Sequence, residues 1–187
     1  MRVAVFASGT GSILDAALSA AVPVAIVVVD RPCAATDVAE RHGVPWELVE
    51  RTSFGRSFDR EAYTQQVLKV LKAQDIDLVV LAGFGTVFAP SLFDEYGGRV
   101  INTHPALLPS FRGWNAVEQA LAEGVKVTGC TVHIVTAEVD AGPILAQEPV
   151  RVLPGDTAGT LHERIKVVER QLYVDTIRSI LERGSLL

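Results

Sequence analysis

Three side chains in this sequence could share one piece of chemistry. Asn102 and His104 stand two residues apart at the end of a run that reads as a strand, so they leave it in one direction. Pro105 holds His104 near extended geometry. An Asn offers amide donors and a carbonyl; a neutral His donates through one ring nitrogen and an imidazolium through both. Together they suit an oxyanion that develops during a reaction. Asp140, just before Ala141-Gly142-Pro143, would favour the imidazolium if its turn folds back over His104. Read blandly, Asp140 is a turn residue, and Asn102 and His104 are a strand-end amide and a satisfied ring. No nucleophile elbow is visible, and neither Cys33 nor Cys130 has a His partner in sequence. His42, His133 and His162 fall at a helix end, in a strand and at a helix start, so no metal is expected. The constellation is one that polarises a carbonyl and handles protons.

A second candidate is Ser8-Gly9-Thr10-Gly11-Ser12, between an apolar strand and a helix. Gly9, Thr10, Gly11 and Ser12 combine backbone freedom, N–H groups and a helix dipole, which suits an anion such as a phosphate monoester. A dinucleotide fingerprint needs a third Gly, and Leu14 stands in its place. A purely structural turn is the remaining reading. Asp30, after the second strand, is either a ribose-binding acid or a turn residue before Arg31-Pro32.

The elements that must position these groups alternate through the first half. Apolar runs at 3–7, 25–29, 76–82 and 99–103 read as buried strands, with a short edge segment at 46–48. Helices are expected at 13–20 with Ser12 as cap, at 37–42, from Asp59, and at 90–96 with Pro90 first; 50–57 reads as polar loop. After residue 105 the pattern changes. A helix is expected at 114–123, strands at 127–135 and 144–152 pairing antiparallel, and a long helix after Thr157 with Leu161, Ile165, Val168 and Leu172 on its apolar stripe. The fold class is α/β: a doubly wound, mostly parallel sheet with an antiparallel C-terminal extension, a Rossmann-like variant.

Length and charge bound the partners. A chain of 187 residues fits one domain and buries roughly 70% of its extended surface. Net charge is −5, from 17 basic and 22 acidic residues, which gives nucleic acid no basic footprint. No apolar run approaches the ~18 residues of a membrane span, and no signal peptide is evident. A cytoplasmic protein with reduced thiols is expected.

The sequence resembles the folate-dependent phosphoribosylglycinamide formyltransferase family over nearly its whole length. The resemblance rests on Ser8-Gly9-Thr10-Gly11-Ser12, Leu81-Ala82-Gly83-Phe84, Asn102-Thr103-His104-Pro105 through Pro109, Thr128 through His133, and Asp140-Ala141-Gly142-Pro143-Ile144. It implies formyl transfer from 10-formyltetrahydrofolate, as co-substrate and without a metal, to the amine of glycinamide ribonucleotide. Asn102, His104 and Asp140 match the catalytic trio. Gly9 to Ser12, Pro105, Pro109 and Glu169 match the ribonucleotide site, with Glu169 on the ribose hydroxyls. Phe84, Gly85, Thr86, Val87 and Phe88, together with Thr136, Ala137, Glu138, Val139, Ala141 and Gly142, match the walls of the folate pocket. Residues 1–104 would form mainly the phosphate-binding half, and 105–187 the folate site and closing helix. A monomer or weak homodimer is implied. The family often has Asn where this chain has Ile13, and Met-Arg-Ile where it has Gly85-Thr86-Val87. The same core resembles other folate-dependent formyltransferases and hydrolases, which carry additional domains; a non-catalytic ligand-binding relative is the alternative of another class.

Overall fold

Val-rich runs with no polar alternation form the strands that carry the site, because only a sheet covered on both faces hides such runs from water. The computed structural model describes residues 1–53 and 55–187. Among these, seven strands make a mostly parallel sheet that ends in an antiparallel pair. The chain divides into two compact units, Met1–Ile101 and Asn102–Leu187.

The first unit runs β1 (Val3–Ala7), α1 (Ser12–Ser19), β2 (Val24–Val29), α2 (Ala35–Arg41), β3 (Trp46–Leu48), α3 (Arg60–Ala73), β4 (Leu78–Leu81), α4 (Pro90–Tyr96) and the start of β5 (Val100–His104). β1 pairs in parallel with β2 and β4, and β2 with β3. The order β3-β2-β1-β4 reverses direction at β1, so the crevice of such a sheet opens between the outgoing loops of β1 and β4. Asp59 caps α3 by accepting the Ala62 N–H at 2.9 Å, and Pro90 takes the first position of α4. Trp46 on β3 is 40% exposed, its Nε1 donating to Glu40 at 3.1 Å.

Several local expectations are corrected. Ser12 does not cap α1; Gly11 is the cap residue, with φ +73° and no side-chain hydrogen bond, and Ser12 is exposed in the first turn. β4 is shorter than 76–82, because the Ile76 N–H closes the end of α3 on Leu71 O. Of the loop expected at 50–57, residue 54 lies outside the described residues, and Gly55–Ser57 form a 3-10 turn.

The second unit holds the end of β5, α5 (Ala116–Ala122), β6 (Val127–Ile134), β7 (Ile144–Arg151) and α6 (Ala158–Arg183). β6 and β7 are antiparallel, with Thr128 opposite Val150 and Thr131 opposite Gln147. Val117, Cys130, Val150, Leu161 and Ile165 form its core. The helix expected from Trp114 begins at Ala116 instead: Asn115 adopts φ +60°, which turns the chain, and Trp114 is left 73% exposed. Thr157 and Thr160 cap α6 reciprocally. That cap is worth about 1 kcal/mol. Fully burying Leu161, Ile165, Ile177 and Ile180 is worth roughly 1.5–3 kcal/mol each, so packing rather than capping holds the helix.

Candidate active site

In the first unit, the β1–α1 loop turns on Gly11. A side chain there would be strained at φ +73°, and its Cβ would lie 2.9 Å from Ala35 Cα in α2. The Gly is therefore needed for packing as well as for any anion. Gly9 O accepts the Ala35 N–H at 3.1 Å, which ties the loop to α2, while Gly9, Thr10 and Ser12 face solvent. A first turn with no side-chain cap leaves its amides to be satisfied by solvent or an anion. Asp15, in the same turn, is drawn aside by His42 Nε2 at 2.9 Å.

Residues 84–89 follow β4 with neither helix nor strand. Phe84 and Phe88 stack at 5.5 Å and meet Phe6 edge-on. Thr86 is buried and Val87 exposed.

The second unit brings His104 and Asp140 together. His104 ends β5, and Asp140 lies in the turn between β6 and β7, at φ +51°, a conformation that a short polar side chain tolerates. The turn is drawn tight at Gly142, where a Cβ would lie 1.8 Å from Ile134 O. Asp140 Oδ2 then sits 3.3 Å from His104 Nδ1 and accepts the Gly113 N–H at 2.8 Å. His104 Nε2 stands 2.7 Å from Phe111 O. On its other side, Asp140 Oδ1 faces His133 Nε2 at 3.5 Å, an ion-pair contact too long for a firm hydrogen bond, while His133 Nδ1 faces Ile134 O at 3.1 Å. His133 Nε2 makes no hydrogen bond among the described residues, whereas His104 has an acceptor near each ring nitrogen. A neutral imidazole can satisfy one of them and an imidazolium both. Burial pushes the Asp140 carboxyl up, but His133, the Gly113 amide and the charge of His104 outweigh it and hold it below the ordinary carboxylate range. Asn102 is half-buried on β5, and its amide has no side-chain hydrogen bond among the described residues, so its donors can serve a ligand.

The loop after His104, which contains Pro105 and Pro109, is braced from β6 and β7. Thr131 Oγ1 donates to Ala106 O and accepts the Leu108 N–H, and Gln147 Nε2 donates to Leu108 O at 2.9 Å. The expected folate-wall residues Thr136 to Gly142 form the turn that carries Asp140; Thr136 Oγ1 donates to Glu138 O, and Arg112 reaches Glu138 at 3.5 Å. Glu169 on α6 is buried and accepts from Thr103 Oγ1 at 3.0 Å. Burial raises its carboxyl above the usual range despite that hydrogen bond.

Sequence reasoning missed His133, Gly113 and Phe111. One available signal was the two-residue spacing of Thr131 and His133, polar residues on a single face of the strand. Backbone groups such as the Gly113 N–H have no side-chain signature. Cys130 is no nucleophile: burial pushes its thiol up to about 12. Among the described residues, no cluster of three or more His, Cys, Asp or Glu is placed to hold a metal ion, and no helix is long and apolar enough to cross a membrane.

An imidazole set against a partly buried carboxylate at a strand end, with an Asn two residues before it whose amide makes no side-chain hydrogen bond among the described residues, fits acyl-group chemistry. The chain belongs to the formyl transferase family, whose model matches residues 1–177. It is 47% identical to the phosphoribosylglycinamide formyltransferase of Mycobacterium tuberculosis, over 98% of this chain and 86% of that protein. Its fold matches the crystal structure of phosphoribosylglycinamide formyltransferase from Bacillus halodurans with a TM-score of 0.91 and 38% identity, covering 100% of this chain and 98% of the other. A formyltetrahydrofolate deformylase from Pseudomonas syringae is also similar, with a TM-score of 0.88 and 32% identity over 97% of this chain and 61% of that one.

Proposed function

We propose that this chain transfers the formyl group of 10-formyltetrahydrofolate to the amine of glycinamide ribonucleotide, a step of purine biosynthesis. The observation that carries the mechanism is the Asp140 carboxylate beside His104 at the end of β5. The neutral amine attacks the formyl carbon, a C–N bond forms, and the bond from that carbon to folate N10 breaks. Asn102 and His104 stabilise the oxyanion of the tetrahedral state, where preorganised donors contribute most. Asp140 orients His104 and sets its charge, and a water carries the proton from the attacking nitrogen to N10. Gly9 to Ser12 hold the acceptor phosphate, and Glu169 its ribose hydroxyls; Pro105 and Pro109 line the acceptor side. Phe84 to Phe88 and Thr136 to Gly142 wall the folate. The same reading makes the protein cytoplasmic, a monomer or weak homodimer, with no nucleic-acid or membrane partner; its net charge of −5 supports the last two.

Hydrolysis of the donor is the second reading, favoured by the similarity to the deformylase. One experiment separates the two. Purified protein receives 10-formyltetrahydrofolate with glycinamide ribonucleotide, charged methionyl-tRNA, an amino-sugar nucleotide or no acceptor, and formyl products are read by mass. Efficient product with glycinamide ribonucleotide alone is expected. Formate released at the same rate without acceptor would overturn transfer, and preference for another acceptor would overturn the substrate.

A further inference from the structure

Asp30, just after β2, has no role in the reaction above, yet it meets Thr86, which lies beyond β4 in the segment proposed to wall the folate. Asp30 is fully buried. Its Oδ1 accepts Arg31 Nε at 3.0 Å; its Oδ2 accepts Arg31 Nη2 at 3.1 Å and the Thr86 hydroxyl at 2.7 Å. Both carboxylate oxygens are engaged by the chain's own donors, which fits an internal strut better than a ribose-binding acid. Burial alone would raise this carboxyl, but Arg31 and Thr86 hold it below its ordinary range. A buried ionised group with fixed partners resists movement, because leaving it unpaired is costly.

The segment it grips needs such a fixed point. Residues 84–88 lie in neither helix nor strand and are pinned by side chains at alternate positions. Phe84 and Phe88 are the outer, apolar pins, stacked on each other and set against Phe6. Thr86 is the middle pin and the polar one: its hydroxyl donates to Asp30 and accepts from Arg51 Nη1 at 3.3 Å. Its neighbours are Gly85, which has no side chain to hold, and Val87, which points outward.

We propose that Asp30 is a positioning residue for the folate donor, acting through Thr86 to hold residues 84–88 in one arrangement. This rests on the reading that the segment walls the folate pocket. Arg31 keeps Asp30 charged, and Thr86 transmits that fixed point to the backbone facing the donor.

The test compares steady-state kinetics and thermal unfolding of wild type, Thr86→Val, Thr86→Ser, Asp30→Asn and Asp30→Asn/Thr86→Val. Thr86→Val keeps the shape and removes the hydroxyl, so the donor KM rises about tenfold, the scale of one hydrogen bond to a charged group, while the acceptor KM holds. Thr86→Ser restores the donor KM. Asp30→Asn raises it as well, and the double variant is no worse than the harsher single, since both remove one coupling. If Asp30→Asn fails to fold, the Thr86→Val and Thr86→Ser pair decides. An active wild type whose donor KM ignores Thr86→Val overturns the inference alone. So do donor and acceptor KM rising together with a falling unfolding midpoint, which would mark a merely structural contact. A wild type that formylates no glycinamide ribonucleotide overturns the proposed function and this inference with it.

Discussion

Asp30, fully buried, and Asp140, partly buried, are carboxylates beyond strand ends, one in each unit, and both are held below their ordinary range against the pull of burial. Their partners differ. Asp30 faces Arg31, whose guanidinium stays charged at every working pH. Asp140 faces the rings of His104 and His133, and an imidazole can take up or give away a proton. A buried carboxylate with a permanent counter-charge is a strut. The same group between two imidazoles is a place where a proton can come and go. Depressed acidity is common to the two, so it does not distinguish architecture from chemistry; the nature of the counter-charge does.

The sharpest way to test that contrast is His104→Ala. Loss of one oxyanion donor costs about 2.7–4 kcal/mol of transition-state stabilisation, so single-turnover transfer falls steeply while the separately measured dissociation constants of both substrates move little. Near-normal transfer would remove His104 from the chemistry and leave Asp140 as much a strut as Asp30.

Asp140→Asn comes next, with a loss of about a hundredfold in the chemical step, the lower end for proton handling by a positioned group. The pH–rate profile at saturating substrate changes shape as well, because one member of a coupled set no longer titrates. Stability gives a second readout. Since the folded carboxyl binds its proton less tightly than the unfolded one, its contribution is complete above the unfolded carboxylate range and is lost as pH falls through the folded value. Asp140→Asn should flatten that acid limb in thermal unfolding. An unchanged rate and profile would reduce Asp140 to a turn residue.

Glu169→Gln gives the smallest effect and the opposite sign. This carboxyl is raised by burial, so its stabilising contribution is present below the unfolded carboxylate range and is lost as pH rises through the folded value. Gln keeps an acceptor for Thr103 and removes the loss. The unfolding midpoint at neutral pH should therefore rise slightly, with the gain vanishing in acid, while the acceptor KM increases if Glu169 holds the ribose hydroxyls. A lower midpoint at neutral pH would contradict the burial argument.

Much of this was legible in the chain itself. Uninterrupted Val and Ile runs announce the buried strands, and Asp59, Pro90 and Thr157 mark three helix starts correctly. The spacing of Asn102 and His104 before Pro105 points to a strand end, which is where they stand. The failures have local causes. Gly11 rather than Ser12 is the cap residue of α1, because the chain enters the helix through a left-handed residue, and Asn115 does the same to α5. Pairings across long separations escape any periodicity: Asp30 meets Thr86 56 residues away, and Thr103 meets Glu169 66 away. His133 read as one more strand residue because what matters about it is a turn closing over it from Gly142.

The exposure of Trp114 has an optical consequence. The sequence holds two tryptophans, Trp46 in the first unit and Trp114 in the second. Trp114 directly follows Gly113, whose amide grips Asp140, and its own carbonyl accepts from Gln119 Nε2 at 2.7 Å. Its indole is solvated while its backbone is tethered on both sides, so its emission is that of a wet ring on a fixed mount. With Trp46 replaced by Phe, any blue shift or quenching on adding ligand would come from the stretch that holds Asp140, and the chain would carry its own fluorophore at that position without a label.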